Sequence, residues 1–143
     1  MELVVHCDGA SRGNPGPAAA GVLMLDSDGL IVARVAMRLG VMTNNQAEYH
    51  AVLAAMQLTN VVKATSITFR LDSQLTVQQL SGAWRIKNAG LAQLADRIHA
   101  AVPPGVEVQY VYVPRALNFG SDRLANWALD HPNPAEWGVE TFV

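Results

Sequence analysis

The apolar residues change period once along this chain, near residue 43, and that change limits the fold more than any single motif does. Before it, three β-rich runs follow one another: Leu3 to Asp8, Ala18 to Leu25 and Leu30 to Leu39. The first two are joined by Gly9 to Pro17, where three glycines and two prolines make a defined loop. Ser27, Asp28 and Gly29 supply turn chemistry between the second and third. The first third therefore reads as a three-stranded antiparallel meander. After it, Ala47, Ala51, Ala54, Ala55 and Leu58 recur at helical spacing and predict an amphipathic helix of about four turns. Thr43-Asn44-Asn45-Gln46 matches a capping box at its start.

Further on, Ser66 to Leu71 and Val106 to Val113 read as strands. Gln74 to Leu80, Leu91 to Ala101 and Asp122 to Leu129 read as helices. The order βββαβααβα lets the last two strands join the sheet by crossovers and run parallel to a neighbour. The expectation is one α/β domain over residues 1–130, with a five-stranded mixed sheet flanked by helices. Residues 131–143 are expected to form a loose tail.

Composition removes several classes. The length of 143 residues suits one domain with a real core. A lone Cys7 excludes a disulfide framework and suits a reducing compartment such as the cytoplasm. No apolar stretch approaches the ~18 residues of a membrane span. Met1 is followed at once by Glu2 and a strand, so no leader is expected. The formal charge of −2 argues at first against a polyanion as partner.

Four carboxylates stand at element ends: Asp8, Glu48, Asp72 and Asp122. Singly they have ordinary readings: a turn acid for Asp8, a surface charge for Glu48, a helix cap for Asp122. Gathered in one place they would repel one another and call for a cation. Oxygen-only donors favour magnesium or manganese. Two such ions can activate a water and stabilise the leaving oxygen of a phosphodiester.

The context of these acids resembles ribonuclease H, type 1. The matching stretches are Asp8 to Pro17, Thr43 to Tyr49, Leu71 to Gln74, Val113 to Asn118 and Ser121 to Asn126. Five collinear motifs are far more specific than one, and they extend over nearly the whole chain. The resemblance implies a ribonuclease-H-like fold and endonucleolytic hydrolysis of the RNA strand of RNA–DNA hybrids, leaving 5′-phosphate and 3′-hydroxyl ends. It implies two magnesium ions, with manganese as a substitute, held by Asp8, Glu48, Asp72 and Asp122. Asp8 would be shared by both ions. Asn14, Asn44, Asn45 and Gln74 fall on positions that read the 2′-hydroxyl in the minor groove. Thr43 has two readings, a helix cap or a grip on a DNA phosphate. Trp84, between Ala83 and Arg85, either stacks along the DNA strand or closes the core at a helix junction. Trp127 reads as core, and Cys7 as a small buried hydrophobe on the sheet face opposite Asp8.

Two departures from the family pattern stand out. The loop Pro114 to Ser121 lacks the histidine many members carry, and Arg115 is the obvious substitute. The segment Gln79 to Gln93 holds only Arg85 and Lys87 as cations, so the lysine-rich protrusion of many members is reduced or missing. Weaker hybrid binding and a shallower salt dependence are expected, and a slope as steep as in members with the protrusion would refute this. Competing readings are a catalytically silent nucleic-acid-binding module, a DNA resolvase or exonuclease of the same fold, and a metal phosphatase. The amides and the full carboxylate set argue against them. A monomer without an obligate protein partner is expected. Setting the four site carboxylates aside leaves eight acidic against ten basic residues, so the rest of the surface is mildly basic.

Overall fold

The structure is a computed structural model, and it describes residues 1–131 and 133–142. The strands are β1 (Glu2–Ser11), β2 (Gly16–Leu25), β3 (Ile31–Met42), β4 (Ser66–Leu71), β5 (Glu107–Tyr112) and β6 (Gly138–Thr141). The helices are α1 (Asn44–Val62), α2 (Gln74–Leu80), α3 (Ala89–Ala100) and α4 (Phe119–Asp130). Short 3-10 turns cover Arg115–Leu117 and Pro134–Glu136. The strands form one sheet in the order β5-β4-β1-β2-β3-β6. β1, β2 and β3 are the expected antiparallel meander, and β4 and β5 add to β1 in parallel.

The sheet has six strands where five were expected. Residues of the C-terminal segment form β6, which pairs antiparallel with β3 from Ala33↔Thr141 to Ala36↔Gly138. Phe142 N–H also donates to Val32 O at 2.8 Å, and Arg34 bonds Glu140. Every residue of β6 is exposed. A strand with no buried face carries no alternation of apolar and polar residues, so its sequence reads as tail.

The two faces of the sheet are covered unequally. On one, α1, α2 and α3 close the main core around Val5, Cys7, Tyr49, Val52, Met56, Phe69 and Ile98. On the other, α4 packs close through small residues, with Ala19 and Ala36 of the sheet against Ala128 and Leu129. α1 is capped as its sequence predicts: Gln46 N–H donates to Thr43 Oγ1 (3.2 Å) and Thr43 N–H to Gln46 Oε1 (2.9 Å). It runs for 19 residues, about a turn longer than its apolar spacing suggests. α4 starts at Phe119, three residues early, because Asn118 O already accepts from Asp122 N–H. Trp127 is not core: it is 37% exposed and stacks on His131, with ring centroids 4.1 Å apart. Its place on α4 falls outside the buried set Ser121, Ala125, Ala128 and Leu129. Among the described residues no helix is long and apolar enough to cross a membrane.

Candidate active site

Asp8 and Asp72 stand at the same end of adjacent parallel strands, Asp8 within β1 and Asp72 just past β4. Glu48 comes from the first turns of α1. Two glycines let the flanking helices approach. A Cβ on Gly9 would lie 2.2 Å from the Ala47 carbonyl carbon and from Glu48 N. A Cβ on Gly21, paired opposite Asp8, would lie 2.0 Å from Ser121 O in α4. Only glycine fits at either place, and each close approach delivers a carboxylate, Glu48 from one face and Asp122 from the other.

One oxygen from each of Asp8, Glu48 and Asp72 lies within 4.8 Å of the others. Asp122 lies outside that trio but near enough for its charge to add to the upward shift of the Asp8 carboxyl. Arg115 Nη2 stands 3.5 Å from Asp122 Oδ1. Asp8 is 8% exposed. Burial, then the charge of Asp72 and the contact with Asp122, hold its carboxyl well above the usual carboxylate range. Glu48 is also raised, by burial first; hydrogen bonds from Thr76 and Ser73 oppose the shift, and the Asp72 charge adds to it. Carboxylates gathered in this way repel one another, and a bound cation would offset that repulsion. The donor set is oxygen only, which fits hard divalent ions.

Four further polar residues hold this group, and none was assigned a role from sequence. Asn118 is 1% exposed. Its Nδ2 donates to Cys7 O at 2.8 Å and toward Asp72 Oδ2 at 3.4 Å. That fixes its Oδ1 as the acceptor for His6 Nδ1, 3.1 Å away, so His6 carries its proton on Nδ1. Burial lowers the pKa of His6, which keeps the ring neutral. Thr76 Oγ1 donates to Glu48 Oε2 at 2.8 Å, and Ser73 caps α2 beside it. Asn126 Nδ2 donates to Asp122 Oδ1 at 3.2 Å. Asn126 and Asp122, four apart on one helix, and Ser73 and Thr76, three apart at the start of α2, leave readable spacings. Asn118 and Thr76 meet their partners at the site across elements.

The expected groove-reading amides are all exposed. Asn14, Asn44 and Asn45 are exposed, and Asn14 Oδ1 accepts from Asn44 N–H at 3.1 Å, tying the Gly9–Pro17 loop to the start of α1. Gln74, also exposed, opens α2 two residues after Asp72. The Thr43 hydroxyl is taken up by the cap. Trp84 is 49% exposed in the non-helical connection between α2 and α3, so it does not close the core. Cys7 faces α1 on the opposite side from Asp8, as its alternation predicts, and burial pushes its thiol up.

A mixed sheet of this order, with carboxylates at the ends of its two central parallel strands and on the helices either side, defines the ribonuclease-H-like class. A family model described as reverse transcriptase-like matches residues 6–128. Ribonuclease HI of Halobacterium salinarum is 44% identical over 125 residues, which cover 87% of this chain and 63% of that protein. A bifunctional protein of Mycobacterium tuberculosis is 38% identical over 91% of this chain and 36% of its own length. The chain thus spans between about a third and two thirds of these curated relatives. The crystal structure of RNase H1 from Halobacterium salinarum superposes with a TM-score of 0.87 at 42% identity, covering 91% of this chain and 98% of that one. LC11-RNase H1 in complex with an RNA/DNA hybrid gives 0.84 at 31% identity, covering 90% and 96%. The chain belongs to the ribonuclease H family, type 1.

Proposed function

We propose that this chain is an endonuclease that hydrolyses the RNA strand of RNA–DNA hybrids with two divalent metal ions. The observation that carries the reading is the approach of Asp8, Glu48 and Asp72, one oxygen from each, to within 4.8 Å. Likeness to a solved ribonuclease H1 bound to a hybrid supports the choice of substrate. Magnesium, or manganese in its place, supplies a polarised water and a counter-charge for the leaving oxygen. Asp8, Glu48, Asp72 and Asp122 would hold these ions, with Asp8 shared between them, Glu48 and Asp72 serving the leaving-group side and Asp122 the side of the attacking water. The water oxygen bonds to phosphorus, the bond from phosphorus to O3′ breaks, and the proton passes to O3′. Products carry a 5′-phosphate and a 3′-hydroxyl.

The remaining residues bind and orient. Asn14, Asn44, Asn45 and Gln74 exchange hydrogen bonds with 2′-hydroxyls across the wide minor groove, which separates RNA from DNA. Arg115, largely exposed at the mouth, holds the scissile phosphate and balances Asp122. Thr43 and Trp84 are candidates for contacts along the DNA strand. In this reading residues 1–130 carry the catalytic unit, the chain acts as a monomer, and a cytoplasmic setting suits its free thiol.

A panel of labelled hybrid, double-stranded RNA and double-stranded DNA, with magnesium, manganese or chelator, tests the assignment. The reading predicts hybrid cleavage that needs a divalent ion. Cleavage of DNA alone, or cleavage that survives chelation, contradicts it.

A further inference from the structure

α4 buries Ser121, Ala125, Ala128 and Leu129 against the sheet and turns Phe119, Arg123 and Trp127 to solvent. These three are four residues apart, so they line one side of the helix at steps of ~6 Å. Phe119 is 63% exposed. Arg123 makes no ion pair among the described residues. His131 extends the row past the helix end through its stack on Trp127. Neither ring closes a core, and a solvated helix face needs neither.

Among the described residues, the one unpaired charge on the ridge itself is the cation Arg123. Four of the ten cations stand on or against α4. Arg123 lies on the ridge, Arg38 donates to Ala128 O and Leu129 O, Arg12 bonds Asp130 at 2.6 Å, and Arg115 faces Asp122. Asp122 points into the candidate site and Asp130 is matched by Arg12, so the helix offers no free carboxylate along the row. The ridge is also continuous with the site. Phe119 precedes Asp122 by less than a turn, and Arg12 ties the far end of α4 to the loop that carries Asn14. A protein partner or a second copy would favour a broader, uninterrupted apolar face. Aromatic rings alternating with a cation suit bases and phosphates.

We propose that the Phe119–Arg123–Trp127 ridge binds single-stranded nucleic acid, the unpaired extension of a hybrid held at the carboxylates. Bases stack on Phe119 and Trp127, and Arg123 takes a phosphate. This inference rests on the reading that the chain acts on hybrids.

The test compares blunt hybrid with the same hybrid carrying an oligo-dT overhang, by fluorescence anisotropy in chelator and by steady-state cleavage in magnesium. Wild type should bind the overhung substrate more tightly. Phe119→Ala and Trp127→Ala should each raise the Kd for it by at least about fivefold, the loss of one stacked base. Arg123→Ala should lower its salt slope by about one. Blunt-hybrid kcat and KM should stay unchanged in all three variants. Arg123→Glu, at an exposed position, gives a readout even if a ring deletion fails to fold, and should weaken overhang binding further. Equal wild-type affinity for the two substrates, or variants that bind the overhang as wild type does, overturns the proposal. So does self-association abolished by Phe119→Ala, which would assign the ridge to a second copy. Failure to cleave even blunt hybrid would instead refute the functional reading itself.

Discussion

Asn118 links the core to the carboxylates: its amide donates to Cys7 O and toward Asp72, and accepts from His6. Asn118→Ala removes the donor that orients Asp72 and leaves His6 Nδ1 and Cys7 O unpaired. Outer partners of metal ligands typically cost about 10–100-fold in affinity or activity when removed. The expected outcome is a loss of that size in hybrid cleavage, with part of it recovered at high magnesium. A magnesium titration of initial rates checks this. Asp8 makes a second prediction. Its folded carboxyl is held above the value of about 3.9 that it has in an unfolded chain. Between the two the folded state binds the extra proton, so metal-free stability falls as pH rises from about 4 toward the folded value. Asp8→Asn removes that dependence and should melt higher than wild type at about pH 8 in chelator, by about 1–3 kcal/mol. Magnesium should stabilise wild type more as pH rises, and the variant little. Melting curves across pH, with and without the ion, measure both. At this scale the approach of Asp8, Glu48 and Asp72 was legible, because each sits in a local motif. Asn118 and Thr76 were not read as supports, because Asp72 and Glu48, their partners at the site, come from distant parts of the chain.

The elements that form the site are brought together by absent side chains. Gly9 admits α1, and Gly21 admits α4. Gly9→Ala would drive a methyl group into the backbone at Ala47 and Glu48. It should cost about 1–3 kcal/mol of stability and weaken magnesium binding by displacing Glu48. A denaturant midpoint and a metal titration separate the two effects, and unchanged values for both would show that α1 is not held by this contact. Strand and helix order could be read from period and turn chemistry, as in the meander and the capped start of α1. The miss at β6 and the misplaced Trp127 share a cause. Edge strands and the outer faces of helices are set by what covers them, and apolar content alone does not show that.

For the whole molecule, the charge balance that first argued against a polyanion reverses meaning. Three of the twelve acids, Asp8, Glu48 and Asp72, stand together at the site, and four of the ten cations stand on or against α4. Ions that offset the cluster then strengthen binding of a polyanion, so metal removal should abolish turnover and weaken hybrid binding while leaving it measurable. The most direct measurement is the initial rate of labelled hybrid cleavage by wild type and by Asp72→Asn across a magnesium titration, with circular dichroism on both proteins. The expected result is a folded variant with turnover reduced by at least about a thousandfold, in line with the loss of a group the transition state requires. A folded Asp72→Asn protein that cleaves hybrid at near wild-type rates would contradict it.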